Sequence, residues 1–74
     1  MSKLPQISGE RAIRALVRAG WERARQRGSH VVLVKPGSIV TPSVPLHNPI
    51  GRGLLHDLIK KAGLTTEESL DHLR

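Results

Sequence analysis

The sequence predicts an α+β domain in which two helices cover one face of a three-stranded antiparallel sheet. Two observations predict it. Apolar residues recur at helical spacing in two stretches, Ala12-Ile13-Leu16-Val17 and Leu54-Leu55-Leu58-Ile59-Ala62. Between them, Trp21 to Pro36 reads as a hairpin closed by the two-residue loop Gly28-Ser29. With 74 residues there is room for one domain, spanning 1–74. Its core is thin, because chains this short bury only about 60% of the surface their unfolded form exposes.

The first helix is expected from about Ser8 to Ala19, with Ser8 as N-cap and Gly20 as terminator. Arg11, Arg14 and Arg18 fall at i, i+3 and i+7 on the side away from the apolar stripe. They form either a solvated charged face or a phosphate-binding row. In the hairpin, Gly at the first loop position suits a type II′ turn. That register sets Arg27 opposite His30, Arg25 opposite Val32 and Arg23 opposite Val34, all on one side. The other side pairs Ala24 with Leu33, Gln26 with Val31 and Glu22 with Lys35. Three arginines cannot be buried together, so Ala24, Val31 and Leu33 are assigned to the core. His30 then opens the second strand on a bare face, flanked by Arg25 and Arg27. Val32 and Val34 share that face, which suggests a surface that is sometimes covered.

Pro36-Gly37 turns the chain into a third strand, expected from Ile39 to Val44. Pro42 cannot donate to a ladder, so this strand is short, at an edge, or bulged there. Pro45 to Gly51 is a loop carrying His47 and Pro49. The second helix is expected from about Gly53 to Ala62, burying Leu54, Leu55, Leu58, Ile59 and Ala62 and turning His56, Lys60 and Lys61 outward; Gly63 ends it. A short last helix starts at Thr65 as N-cap with Glu68 three residues on, a capping-box pattern, and buries Leu70 and Leu73. The order α-β-β-β-α, plus this short C-terminal helix, is also the layout of the double-stranded-RNA-binding domain.

Charge narrows the function. Twelve Lys and Arg against six acidic residues give a formal net charge of +6. So strong a bias in a small domain favours polyanions: RNA, DNA, an anionic membrane or an acidic protein. No apolar run approaches the roughly 18 residues a membrane span needs. The start, Met1-Ser2-Lys3-Leu4-Pro5, has no apolar signal-peptide centre, and the chain is read as cytoplasmic. The absence of cysteine removes disulfides and thiolate–zinc sites. Trp21 is the single aromatic residue, so single-stranded bases have no set of stacking platforms and contacts fall mainly on phosphate and sugar.

Few residues are suited to chemistry. His47 and His56 have no carboxylate at ligand spacing, and no cofactor or metal is expected. Gly51-Arg52-Gly53 is too short for a Walker motif. It opens a helix whose amides could meet a phosphate, though a flexible helix start is the simpler reading. Histidine transfers protons near neutral pH, and RNA brings its own nucleophile, the 2′-hydroxyl. An exposed His30 among arginines therefore supplies a base and an electrostatic clamp.

Gly28-Ser29-His30, following Gly20-Trp21-Glu22 and Arg25-Gln26-Arg27, resembles the glycine–serine–histidine segment of the HicA family. Pro45-Leu46-His47 resembles that family's proline–x–histidine segment. Gly53-Leu54-Leu55 and Leu58-Ile59-Lys60-Lys61-Ala62-Gly63-Leu64 resemble its second helix and the lead into its last. The likeness runs in order along almost the whole chain. It departs at Pro42, a second proline in the third strand, and at Leu54, where a small polar residue is common. The resemblance implies the toxin of a toxin–antitoxin pair, an mRNA-cleaving endoribonuclease that needs no metal. It implies His30 as the catalytic residue, presented by Gly28 and Ser29, and a HicB-like antitoxin as partner. His47 matches a family position and either donates a proton to the leaving 5′-oxygen or anchors its loop, the anchor being the favoured reading. The RNA-binding set expected around His30 is Arg25, Arg27, Ser29, Lys35 and Arg52, with Arg14 and Arg18 on the first helix. Two other readings stand beside this one: a non-catalytic RNA- or DNA-binding module of the same fold, and a basic protein-interaction module.

Overall fold

The structure, a computed structural model, describes residues 4–73; Met1, Ser2 and Lys3 of the segment read for a leader, and Arg74, lie outside the described residues. Helix α1 spans Gly9–Arg18. Strands β1 (Glu22–Arg27), β2 (His30–Val34) and β3 (Ser43–Pro45) follow, and then helices α2 (Arg52–Lys61) and α3 (Thr66–Leu73). The strands form one antiparallel sheet in the order β1-β2-β3. The expected α+β order is therefore observed, with β2 central and β3 short and at an edge.

Local chemistry sets the boundaries. The Ser8 hydroxyl accepts from the Arg11 amide at 3.1 Å and caps α1. At α3 the capping box is closed in both directions. The Glu68 amide donates to Thr65 Oγ1 at 3.1 Å, and the Thr65 amide donates to Glu68 Oε1 at 2.8 Å. That donated amide bond, helped by the Thr65 side chain, holds the Glu68 carboxyl below its ordinary pKa. The β1–β2 turn has positive φ at Gly28 and at no non-glycine residue, as a type II′ turn requires.

The core lies between the sheet and the helices. It gathers Ile13 and Leu16 from α1, Val31 and Leu33 from β2, Val44 from β3, and Leu55, Leu58 and Ile59 from α2. Burial alternates along β2 from exposed His30 to buried Val31, half-buried Val32, buried Leu33 and half-buried Val34. One sheet face is therefore covered and the other open. Val17, expected in the apolar stripe of α1, is 45% exposed at the edge of that stripe.

Two expectations about the strands are corrected. The hairpin register holds from the turn back to Arg25, which pairs with Val32, but a bulge separates Arg23 from Arg25. The extra residue, Ala24, is exposed rather than core. Beyond it the alternation flips, so that Arg23 lies opposite Leu33 and Glu22 opposite Val34. The flip has a clear driving force. Unbroken alternation would put Trp21 on the open face with the arginines, whereas Trp21 is 2% exposed in the core. Arg23 moves to the helix side with it and pairs with Glu10 of α1.

The second correction is to β3, which is three residues long and begins at Ser43 instead of Ile39. Ile39 is 99% exposed and Val40 is also exposed. Pro42 explains the late start in part, since it donates nothing; its carbonyl still accepts from the Leu33 amide at 2.9 Å, and its ring is buried.

Among the glycines, Gly9 makes the closest approach to other backbone, at the end of β3. A Cβ on Gly9 would overlap the Pro45 carbonyl oxygen and crowd Leu46 Cα. Gly9→Ala places a better helix former in α1, so helix propensity alone predicts stabilisation. We expect the reverse, a loss of about 1–3 kcal/mol from overpacking against backbone that cannot yield. For a domain of this size each kcal/mol moves Tm by roughly 4–8 °C, so a melting curve for the variant that coincides with wild type would refute the packing described.

Candidate active site

His30 opens β2 immediately after the turn. It pairs with Arg27 of β1 on one side and Pro45 of β3 on the other. Its side chain is exposed because it points away from the face on which Val31 and Leu33 are buried. Arg25 pairs with Val32 on the same open face, one step further along. Among the described residues no carboxylate pairs with Arg25 or Arg27, so both guanidinium groups stand beside His30 uncompensated.

The loop after β3 brings a second imidazole to the same place. The His47 ring centroid lies 6.5 Å from that of His30, with the planes at 65°. Main-chain bonds fix this approach. The Leu46 amide donates to the Ser29 carbonyl at 2.6 Å, and the Gly9 amide donates to the His47 carbonyl at 2.7 Å. Further along, the Ile50 amide donates to the Ile7 carbonyl at 2.9 Å. The loop is thus tied to the β1–β2 turn and to the lead into α1. Neither imidazole has a hydrogen-bond partner among the described residues.

The other residues singled out in the sequence are dispersed. Ser29 contributes its carbonyl to the loop. Lys35 follows the far end of β2, with its ammonium 5.9 Å from the centre of the Trp21 ring. It is five positions along the chain from His30, about 16 Å at the usual rise of a strand. Arg52, the first residue of α2, donates from Nε to the Leu4 carbonyl at 2.9 Å and ties down the N-terminal segment. Arg14 lies 3.8 Å from Glu10, which also receives Arg23. Arg18 donates to the His72 carbonyl at 2.9 Å, and Arg11 to that of Leu73 at 3.0 Å. Arg11, Arg14, Arg18 and His72 line a cleft of about 310 Å³ between α1 and α3.

Arg23, expected on the open face beside His30, is absent from it because of the bulge at Ala24. Sequence reading also missed Glu10, the carboxylate that receives both Arg23 and Arg14. Its i,i+4 spacing to Arg14 was the available signal. Trp21 is buried, so the lone aromatic of the chain offers no stacking surface.

Chemically, the site combines two exposed imidazoles with unpaired guanidinium groups, an arrangement suited to proton transfer next to an anion. Among the described residues no three His, Asp or Glu side chains converge as metal ligands, and no helix is long and apolar enough to cross a membrane. No protein of curated function matches the chain. The family described as HicA toxin of bacterial toxin–antitoxin systems, however, matches it over residues 9–64, from the first residue of α1 to just past α2. That span takes in the hairpin, both histidines and more than half of the sequence, and the chain belongs to the HicA toxin family.

Proposed function

We propose that this toxin is a cytoplasmic, metal-independent endoribonuclease that cleaves mRNA with His30 as general base. The observation that carries the reading is the placement of an exposed imidazole, with no hydrogen-bond partner among the described residues, on an open sheet face beside two arginines of β1 that no described carboxylate pairs. In this reading His30 takes the proton from a ribose 2′-hydroxyl, whose oxygen attacks the adjacent phosphorus. Arg25 and Arg27 steady the charge that grows on the phosphate, and Ser29 shapes the turn that presents the base. Arg14 and Arg18 on the outer side of α1, with Arg52 and Lys35, supply a wider positive field that draws in the RNA backbone.

The chemistry implies a 2′,3′-cyclic phosphate and a free 5′-hydroxyl. His30→Ala should abolish cleavage while leaving the melting temperature and RNA affinity close to wild type, because the side chain touches neither the core nor a charge partner. Cleavage by wild type should persist in excess EDTA. Products ending in 5′-phosphate, or full activity in a folded His30→Ala preparation free of host nuclease, would overturn the assignment.

Binding should depend steeply on salt, since contact is to phosphate. Replacing Arg25 and Arg27 together by Gln removes two phosphate contacts in this reading. The log–log slope of affinity against salt should then shallow by about 1.4 for single-stranded RNA. An unchanged slope would return both arginines to the status of solvated charges.

The toxin's partner in this reading is a HicB-like antitoxin that covers the open face. Half-buried Val32 and Val34 beside uncompensated Arg25 and Arg27 suit an acidic protein with a few apolar side chains, and such a cover would occlude His30. Val32→Asp should weaken that complex, measured by titration calorimetry, without unfolding the toxin, because Leu33 and Val31 carry the core contacts of β2. Full-strength binding by the folded variant would move the inhibitory surface elsewhere.

A further inference from the structure

We infer that His47 is the general acid of the same reaction, the partner that His30 needs on the far side of the scissile phosphate. The inference rests on the endoribonuclease reading of His30 and adds a second catalytic residue to it. Three observations bear on it. The two rings are 6.5 Å apart between centroids, and both are exposed. At that separation the rings do not touch, so they can approach one phosphodiester from different sides, a base at the 2′-oxygen and an acid at the 5′-oxygen. The edge-to-face arrangement at 65° keeps the rings from stacking flat and closing that gap.

Second, the separation is set by the main chain and not by the rings. The bond from the Leu46 amide to the Ser29 carbonyl joins the residues that immediately precede the two histidines. A gap fixed in this way exists before substrate arrives, which is the condition for acid and base to act together without reorganising. Third, the loop-anchoring role is already filled. It is the His47 carbonyl that holds the loop to α1, through the Gly9 amide, while the imidazole has no hydrogen-bond partner among the described residues. Any residue supplies a carbonyl; only an ionisable side chain gains from standing opposite His30.

The step balances. Neutral His30 accepts the 2′-hydroxyl proton as the O2′–P bond forms. The P–O5′ bond breaks, and imidazolium His47 gives its proton to the departing 5′-oxygen. The products are the cyclic phosphate and the 5′-alcohol. The enzyme is left with the proton on the opposite histidine, and exchange with water restores the starting state.

A leaving group that needs no proton isolates this role. An RNA oligonucleotide carrying a site that wild type cuts would be made twice, once with oxygen and once with sulfur at the scissile 5′ position, because a thiolate departs unprotonated. His47→Ala should cut the oxygen linkage about 10²–10⁴-fold more slowly, the range for a lost general acid, and the sulfur linkage at close to the wild-type rate. His47→Gln, which keeps size and hydrogen bonding but cannot deliver an acidic proton, should behave the same way and serves if the alanine variant does not fold. Equal slowing on both linkages would make His47 a structural residue, and no slowing on either would make it a bystander; each overturns the inference and leaves His30 standing. His30→Ala should lose both linkages. Wild-type rates from that variant would instead bring down the endoribonuclease reading on which the inference rests.

Discussion

The contact between the first residue of α1 and the end of β3 organises the part of the molecule that carries the candidate site. Gly9 lies so close to the Pro45 carbonyl that no side chain fits between them. That closeness lets the Gly9 amide reach the His47 carbonyl. An unpaired amide in the first turn of a helix would otherwise need water or a capping side chain, and here a loop carbonyl satisfies it. The loop is then held from its other side by the Ser29 carbonyl. Three segments distant in sequence meet at this point: the lead into α1, the hairpin turn, and the stretch between β3 and α2. Backbone groups make every one of these bonds. The site's geometry is therefore insensitive to side-chain identity at His30 and His47 and highly sensitive to it at Gly9.

A second constraint is the demand for core volume. In a thin core the one large aromatic side chain cannot be left in water, and burying a residue of that size contributes on the order of 2 kcal/mol or more. The bulge at Ala24 meets the demand by turning Trp21 inward, at the cost of an unpaired residue in β1 and an arginine on the helix side. Glu10 offsets the second cost by pairing with Arg23. The same shift leaves two arginines, not three, around His30. Packing at one end of β1 thus decides the charge at the other end.

Much of this was legible in the sequence. Ser8, Gly28 and the Thr65–Glu68 pair act through local geometry that neighbouring residues determine, and each does in the structure what its spacing indicates. The half of the hairpin nearest the turn was legible for the same reason, since a two-residue loop fixes register. What failed was extrapolation along β1 past Arg25, because alternation carries no warning of an inserted residue. The exposed Trp21 that unbroken alternation implied was the sign that it must break. The start of β3 was misjudged because Ile39 and Val40 have strand-like chemistry but no neighbour to pair with. The approach of His47 to His30 was beyond sequence reasoning altogether. It depends on Gly9, nearly forty positions away, touching the chain beside His47.

These constraints divide the sheet. Its helix-facing side is committed to Val31, Leu33 and Val44, and a domain of this size has no spare core with which to absorb a change there. Its open side carries nothing that the fold requires, so that is where an imidazole and unpaired guanidinium groups can be held at little cost to stability. Holding them has a different consequence. With a net charge of +6 and Glu10 shared between Arg23 and Arg14, Arg25 and Arg27 have no carboxylate partner among the described residues, and an anion from outside would relieve their repulsion. In the proposed reading, an RNA phosphate and an acidic antitoxin would meet the same electrostatic need on the same face. Two such ligands, with one requirement and one surface, would exclude each other, and on that reading competition alone would turn the proposed nuclease off without any change in its shape.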